Sequence, residues 1–123
     1  MKKLIVVHAA GLSAEETVRG DQAWNLSDLI ADGSFAPLSD PADVSALVGG
    51  VPGAELVALP YQDMASFDQA LGELRARAAA SGSGLAVLSE AVFISQRYFP
   101  ECKPGKTLAP KDVARLLAAM TSV

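Results

Sequence analysis

Val6-Val7-His8-Ala9-Ala10-Gly11-Leu12-Ser13, taken with Val87-Leu88-Ser89-Glu90-Ala91-Val92-Phe93, decides the reading of this chain. Each stretch runs off an apolar strand into a turn of small residues. Unbroken apolar runs, rather than strict alternation, mark strands covered by helices on both faces. In open α/β sheets the ligand crevice lies beyond the carboxyl ends of the strands, so these two turns are where chemistry is expected. They carry few groups able to perform any.

Outward from these turns, Lys3 to Val7 reads as a buried central strand and Leu85 to Leu88 as a second one. Ala23 to Asp32 sets Leu26, Leu29 and Ile30 on one helical face, and Gly33 is expected to close that helix in the left-handed conformation. Ser34 to Leu38 reads as a short strand. Pro41 opens a helix through Leu47 with Asp40 as its cap, ending at Gly49-Gly50, and Glu55 to Leu59 is the next strand. From Asp63 to Ala80, Met64, Phe67, Leu71, Leu74 and Ala78 recur at spacings of three and four, the strongest helical signal in the chain. Ser81-Gly82-Ser83-Gly84 ends it. Phe93 and Ile94 add a short strand, Pro100 to Pro104 is irregular, and Pro110 opens a last helix with Val113, Leu116, Leu117 and Met120 on its apolar face.

Strands alternating with helices in this order predict one α/β domain over residues 1–123, a three-layer α/β/α sandwich with a mostly parallel sheet. The helix between the strands at 55–59 and 85–88 is the expected crossover. With 50% hydrophobic and 20% charged residues in 123, the chain has apolar material for one core and no more. A net charge of -4 and scattered lysines and arginines offer no basic field for a phosphate backbone, so nucleic acid is not an expected partner. The apolar run at the start stops at His8, unlike a signal peptide, and no stretch reaches the ~20 apolar residues of a membrane span. Cys102 is the one cysteine, which rules out an internal disulfide, and the expected location is cytoplasmic, with no membrane partner.

Ile5 to Leu12, Trp24-Asn25-Leu26-Ser27-Asp28-Leu29-Ile30-Ala31-Asp32-Gly33 and Pro41 to Gly49 resemble the opening of the alkaline phosphatase superfamily, especially its phosphodiesterase and nucleotide pyrophosphatase branch. Asp68-Gln69-Ala70-Leu71-Gly72-Glu73-Leu74, Leu85 to Leu88 with Ser89-Glu90, and Lys103-Pro104-Gly105-Lys106-Thr107 leading to Asp112-Val113-Ala114 resemble its closing section in the same order. Family members are far longer, so the resemblance implies an alkaline-phosphatase-like core without the middle section. It also implies two metal ions, usually zinc, and a Thr or Ser nucleophile, a pairing suited to phosphoryl transfer. Here Ala10 stands where the resemblance places the first metal-binding aspartate, and the nucleophile falls near Ala42, beside Asp43 and Ser45. The late Asp-His pair aligns with Glu90 and Ala91. Only Glu90 keeps a ligand atom, and a chain with one histidine cannot rebuild the rest.

Each remaining candidate has two readings. His8 is a candidate ligand or general base, or a structural histidine at the end of a buried strand, the commoner role. Glu90 is a remnant metal carboxylate or general acid, or a solvated or helix-capping group. Asp40 and Asp43 offer hard oxygen ligands, although capping accounts for Asp40. Ser13 is a nucleophile candidate, yet Ser13 followed by Glu16 is a capping-box signature. Ala9-Ala10-Gly11 lacks the spacing of a phosphate loop, but the amides near Gly11, with His8, Ser13 and Ser89, form a candidate small-anion site. Cys102 beside Lys103 has no second group to complete a nucleophilic site. Arg97-Tyr98-Phe99-Pro100 either covers the end of the sheet or lies exposed, and exposure would favour a homodimer.

The expected function is therefore a non-catalytic, alkaline-phosphatase-like interaction or regulatory module, a pseudoenzyme with no cofactor or bound metal. The alternatives are a binding protein for a small anion or nucleotide, and a phosphate- or sulfate-ester hydrolase of altered metal use built on His8, Asp43 and Glu90.

Overall fold

A computed structural model describes residues 3–18, 24–102 and 106–121, with Val18 described in its backbone alone. The elements, in chain order, are β1 (Leu4–His8), α1 (Ala14–Val18), α2 (Trp24–Asp32), β2 (Ser34–Pro37), α3 (Val44–Gly49), β3 (Ala54–Ala58), α4 (Met64–Ser81), β4 (Gly84–Leu88), β5 (Val92–Ser95) and α5 (Pro110–Thr121). The expected start of α2 at Ala23 and the Lys103-Pro104-Gly105 stretch lie outside the described residues.

The five strands form one α/β sheet in the order β2-β5-β4-β1-β3. β1 pairs in parallel with both β3 and β4, whereas β5 pairs antiparallel with both β4 and β2. The sheet is thus mixed, with two parallel and two antiparallel ladders, against the mostly parallel sheet expected. The physical reason is the connection. From Leu88 to Val92 the chain has only Ser89, Glu90 and Ala91 to turn with, and a parallel neighbour requires a crossover of about a dozen residues or more. α4 supplies such a crossover between β3 and β4, which flank β1.

Both sheet faces are apolar, as the unbroken runs in β1 and β4 require. Leu4, Val6, Ala86, Leu88 and Phe93 pack with Val44 and Val48 of α3 and Val113, Leu116, Leu117 and Met120 of α5. Ile5, Val7, Leu85, Val87, Val92 and Ile94 pack with Leu26 and Leu29 of α2 and Phe67, Leu71 and Ala78 of α4. The expected apolar faces of α4 and α5 are the buried ones, with Met64 and Leu74 partly covered. Among the described residues no helix is long and apolar enough to cross a membrane.

Local chemistry sets the helix ends. Asp63 caps α4 by accepting the Ser66 N–H at 2.9 Å, and Gly82, at φ 69°, closes it in the left-handed region. Two expected caps differ. α3 begins after Asp43, whose side chain accepts the Ala46 N–H at 3.2 Å, so Pro41 and Asp40 precede the helix. Gly33 is not left-handed after α2. A Cβ on Gly33 would lie 1.9 Å from the Ser95 carbonyl oxygen, so glycine is there to let β5 pass.

Candidate functional site

The carboxyl ends of β1 and β4 meet at the Ser89-Glu90-Ala91 turn, and two segments distant in sequence are tied to it. Gly11 N–H donates to Glu90 Oε1 at 2.9 Å, and Ser89 Oγ donates to the Leu12 carbonyl at 2.8 Å. Ala42 N–H donates to the Glu90 carbonyl at 3.2 Å, and Leu38 N–H to the Ala91 carbonyl at 2.9 Å. Segments 8–13, 38–43 and 89–91 therefore converge, but on each other.

Ser89 is buried, and its hydroxyl also accepts the N–H groups of Ala91 and Val92 at 3.1 Å each. One donor and two acceptor positions are then all used, which leaves nothing for a ligand. Gly11 has φ 90°, a conformation that a side chain would strain, and it aims its N–H at Glu90. The amide expected to greet an anion is already holding one, supplied by the protein itself.

His8 is half-buried at the end of β1, its carbonyl accepting the Leu59 N–H at 3.0 Å and its Nε2 lying 3.9 Å from Glu90 Oε2. Glu90 is solvent-exposed, as one reading expected, but it clamps the Gly11 N–H where the other expected a helix cap. Its carboxyl is held below the ordinary carboxylate range, first by the Gly11 N–H and then by its own backbone N–H and His8, with burial opposing.

A group whose pKa is lowered by folding stabilises the fold above its unfolded pKa and loses that contribution as pH falls through the folded value. With the side chain 46% exposed, Glu90→Gln is expected to cost about 1 kcal/mol at neutral pH, below the range for buried charged hydrogen bonds. The gap from the wild type should begin to narrow as pH falls through the ordinary glutamate value and close only below the lowered value of the folded state. Urea midpoints at neutral and acid pH check this, and a pH-independent gap would contradict it.

The other candidates are engaged locally. Ser13 caps α1, accepting the Glu16 N–H at 3.2 Å, with its own hydroxyl 3.4 Å from Glu16 Oε1. Tyr61, which sequence reasoning did not single out, approaches this corner through its N–H to the Ala10 carbonyl at 2.9 Å. A hydrogen bond to Glu16, then burial and the charges of Glu16 and Asp63, push its phenol up to about 12, so it remains protonated and a donor. Asp43 spends Oδ1 on its cap, and exposed Asp40 accepts from Ser39 Oγ at 3.3 Å. Burial pushes the Cys102 thiol up, only partly countered by a hydrogen bond with Ser34, the reverse of an activated nucleophile.

In the aromatic segment, Phe99 is buried against Phe93 and gives its N–H to Ser34 Oγ, so it covers the sheet end, while Tyr98 remains 64% exposed. Among the described residues no group of three or more His, Cys, Asp or Glu side chains is placed to hold a metal ion. A groove of about 490 Å³ lies at the opposite end of β4, against Leu85, Gln96, Asp32 and Arg75. It is remote from His8 and Glu90.

No protein-family model, curated protein or solved structure matches this chain.

Proposed function

We propose that this chain is a cytoplasmic, non-catalytic domain, a three-layer α/β/α sandwich with an alkaline-phosphatase-like core, acting as an interaction or regulatory module. One observation carries the reading. Glu90, the single ligand-type side chain left among the positions the resemblance assigns to metal ligands and nucleophile, spends its carboxylate on Gly11 N–H. A two-metal centre needs several carboxylate and imidazole donors around two cations. Ala10, Ala42 and Ala91 supply none, and His8 with Glu90 makes one weak pair. The residues do not fit the paired zinc ions of that superfamily, and no catalytic step is derived through them.

The same hydrogen bond bears on the anion-binding alternative. A phosphate at the turn would have to displace Glu90 from Gly11 and then face its negative charge at close range.

Thermal melting in the presence of zinc, magnesium, phosphate, sulfate and nucleotides tests the reading, because a ligand that binds the folded state raises the melting temperature. A flat response is expected. A rise with phosphate or a nucleotide that His8→Ala abolishes would replace the module reading with the binding-protein one.

A further inference from the structure

We propose that the free edge of the sheet, β3, pairs antiparallel with β3 of a second copy of this chain, joining the two sheets across a two-fold axis at Leu56. Among the described residues β3 is the last strand of the sheet and has β1 as its sole neighbour. The two ends of that ladder, Leu4 N–H to the Gly53 carbonyl and Leu59 N–H to the His8 carbonyl, fix which groups face inward. By the parallel register, residues 55 and 57 turn their N–H and carbonyl toward β1, so Ala54, Leu56 and Ala58 turn theirs outward. Among the described residues no hydrogen bond covers the outward groups of Leu56 or Ala58; the Ala54 N–H alone is used, by the Val51 carbonyl.

Edge strands are ordinarily blunted by lysine, proline, bulges or a covering element. Ala54-Glu55-Leu56-Val57-Ala58 has neither lysine nor proline, its register runs unbroken, and Leu56 is 39% exposed. The one charge on it, Glu55, is neutralised by Arg77 of α4.

A second copy fits this edge because the strand is self-complementary under a two-fold axis. Leu56 faces the partner's Leu56 with its N–H and carbonyl directed across, and Ala54 faces the partner's Ala58, the Ala54 carbonyl opposite the free Ala58 N–H. Glu55 faces the partner's Val57, so no like charges stand opposite each other. The far edge is not open to the same pairing. There Leu38 bridges Leu108, Leu108 N–H bonds the Pro37 carbonyl, and Pro37 has no N–H to offer. Among the described residues the far edge offers the outward groups of Phe35 alone, next to the bonded Pro37, so pairing through β3 closes at two copies instead of growing into a fibre.

Light scattering on the full chain at a concentration on the order of 100 μM, where even a modest interface is populated, tests the pairing. The wild type is expected at the mass of two chains. Leu56→Lys and Leu56→Glu each place like charges face to face at the axis and are expected at half that mass, with unchanged circular dichroism. A monomeric wild type, or a dimer that persists in both variants, overturns the proposal. The pairing does not involve the Glu90 turn, so either result leaves the module reading to the ligand and substrate measurements.

Discussion

Replacing Gly33 with alanine is expected to destabilise the protein by about 3 kcal/mol, the upper end of overpacking costs in a well-packed interior. The added methyl group would lie 1.9 Å from the Ser95 carbonyl oxygen and 2.8 Å from the carbonyl carbon and oxygen of Gln96. All of these atoms are backbone, so no side chain can rotate away to make room. Relief would require prising the junction of α2 and β2 from the end of β5, where Ser34 pairs with Ser95 and gives its hydroxyl to the Arg97 carbonyl. A urea midpoint equal to that of the wild type would show that the junction is looser than this packing implies.

Asp68→Ala is expected to cost a similar amount, about 3 kcal/mol, because it leaves buried donors without an acceptor. Asp68 is 4% exposed within α4, yet its carboxylate serves another helix. It accepts Asn25 N–H at 3.0 Å, Leu26 N–H at 2.8 Å and Asn25 Nδ2 at 3.3 Å. These amides belong to the first turn of α2, whose N–H groups have no partner within their own helix. The carboxylate is thus an N-cap supplied from across the α2–α4 contact, and Arg75 braces it by donating to the carbonyl and side-chain oxygen of Asn25 at 3.3 and 3.2 Å. Asp68→Asn keeps one acceptor and should fall between the alanine variant and the wild type. Urea denaturation orders the three proteins, and hydrogen exchange should show α2 as the element most exposed by the alanine variant.

These two positions show where the sequence was legible and where it was not. Periodicity gave α4 and α5, because their apolar residues recur with the helical repeat and nothing tertiary overrides them. The buried strands β1 and β4 were legible from composition alone. The direction of β5 was not: Val92 to Ser95 is apolar whichever way it runs, and its orientation follows from the shortness of the turn before it. Two aspartates stood near the start of α3, and local propensity alone did not choose Asp43 over Asp40. Gly33 looked like a helix stop since glycine often is one, and its actual reason is a strand that meets it from sixty residues away.

The candidate site follows the same division. Ser13 and Glu16, three residues apart, carry a local capping signature, and the structure has that cap. Glu90 and Gly11 are 79 residues apart, and no local pattern announces their bond. Nor does any announce Asp68 on Leu26, or the Tyr61 N–H on the Ala10 carbonyl. The sequence brought His8, Gly11, Ser89 and Glu90 to one end of the sheet by strand assignment; what they do there depends on tertiary hydrogen bonds that only coordinates reveal.

The proposed function rests on this end of the sheet being closed on itself, with its ligand-type groups already bonded. Its most direct test is hydrolysis of phosphomonoesters, phosphodiesters and sulfate esters by the purified chain in the presence of zinc or magnesium. Turnover no greater than with the metal alone is predicted, unchanged in His8→Ala and Glu90→Ala. Metal-dependent turnover that both substitutions abolish would show a working ester hydrolase at the Glu90 turn.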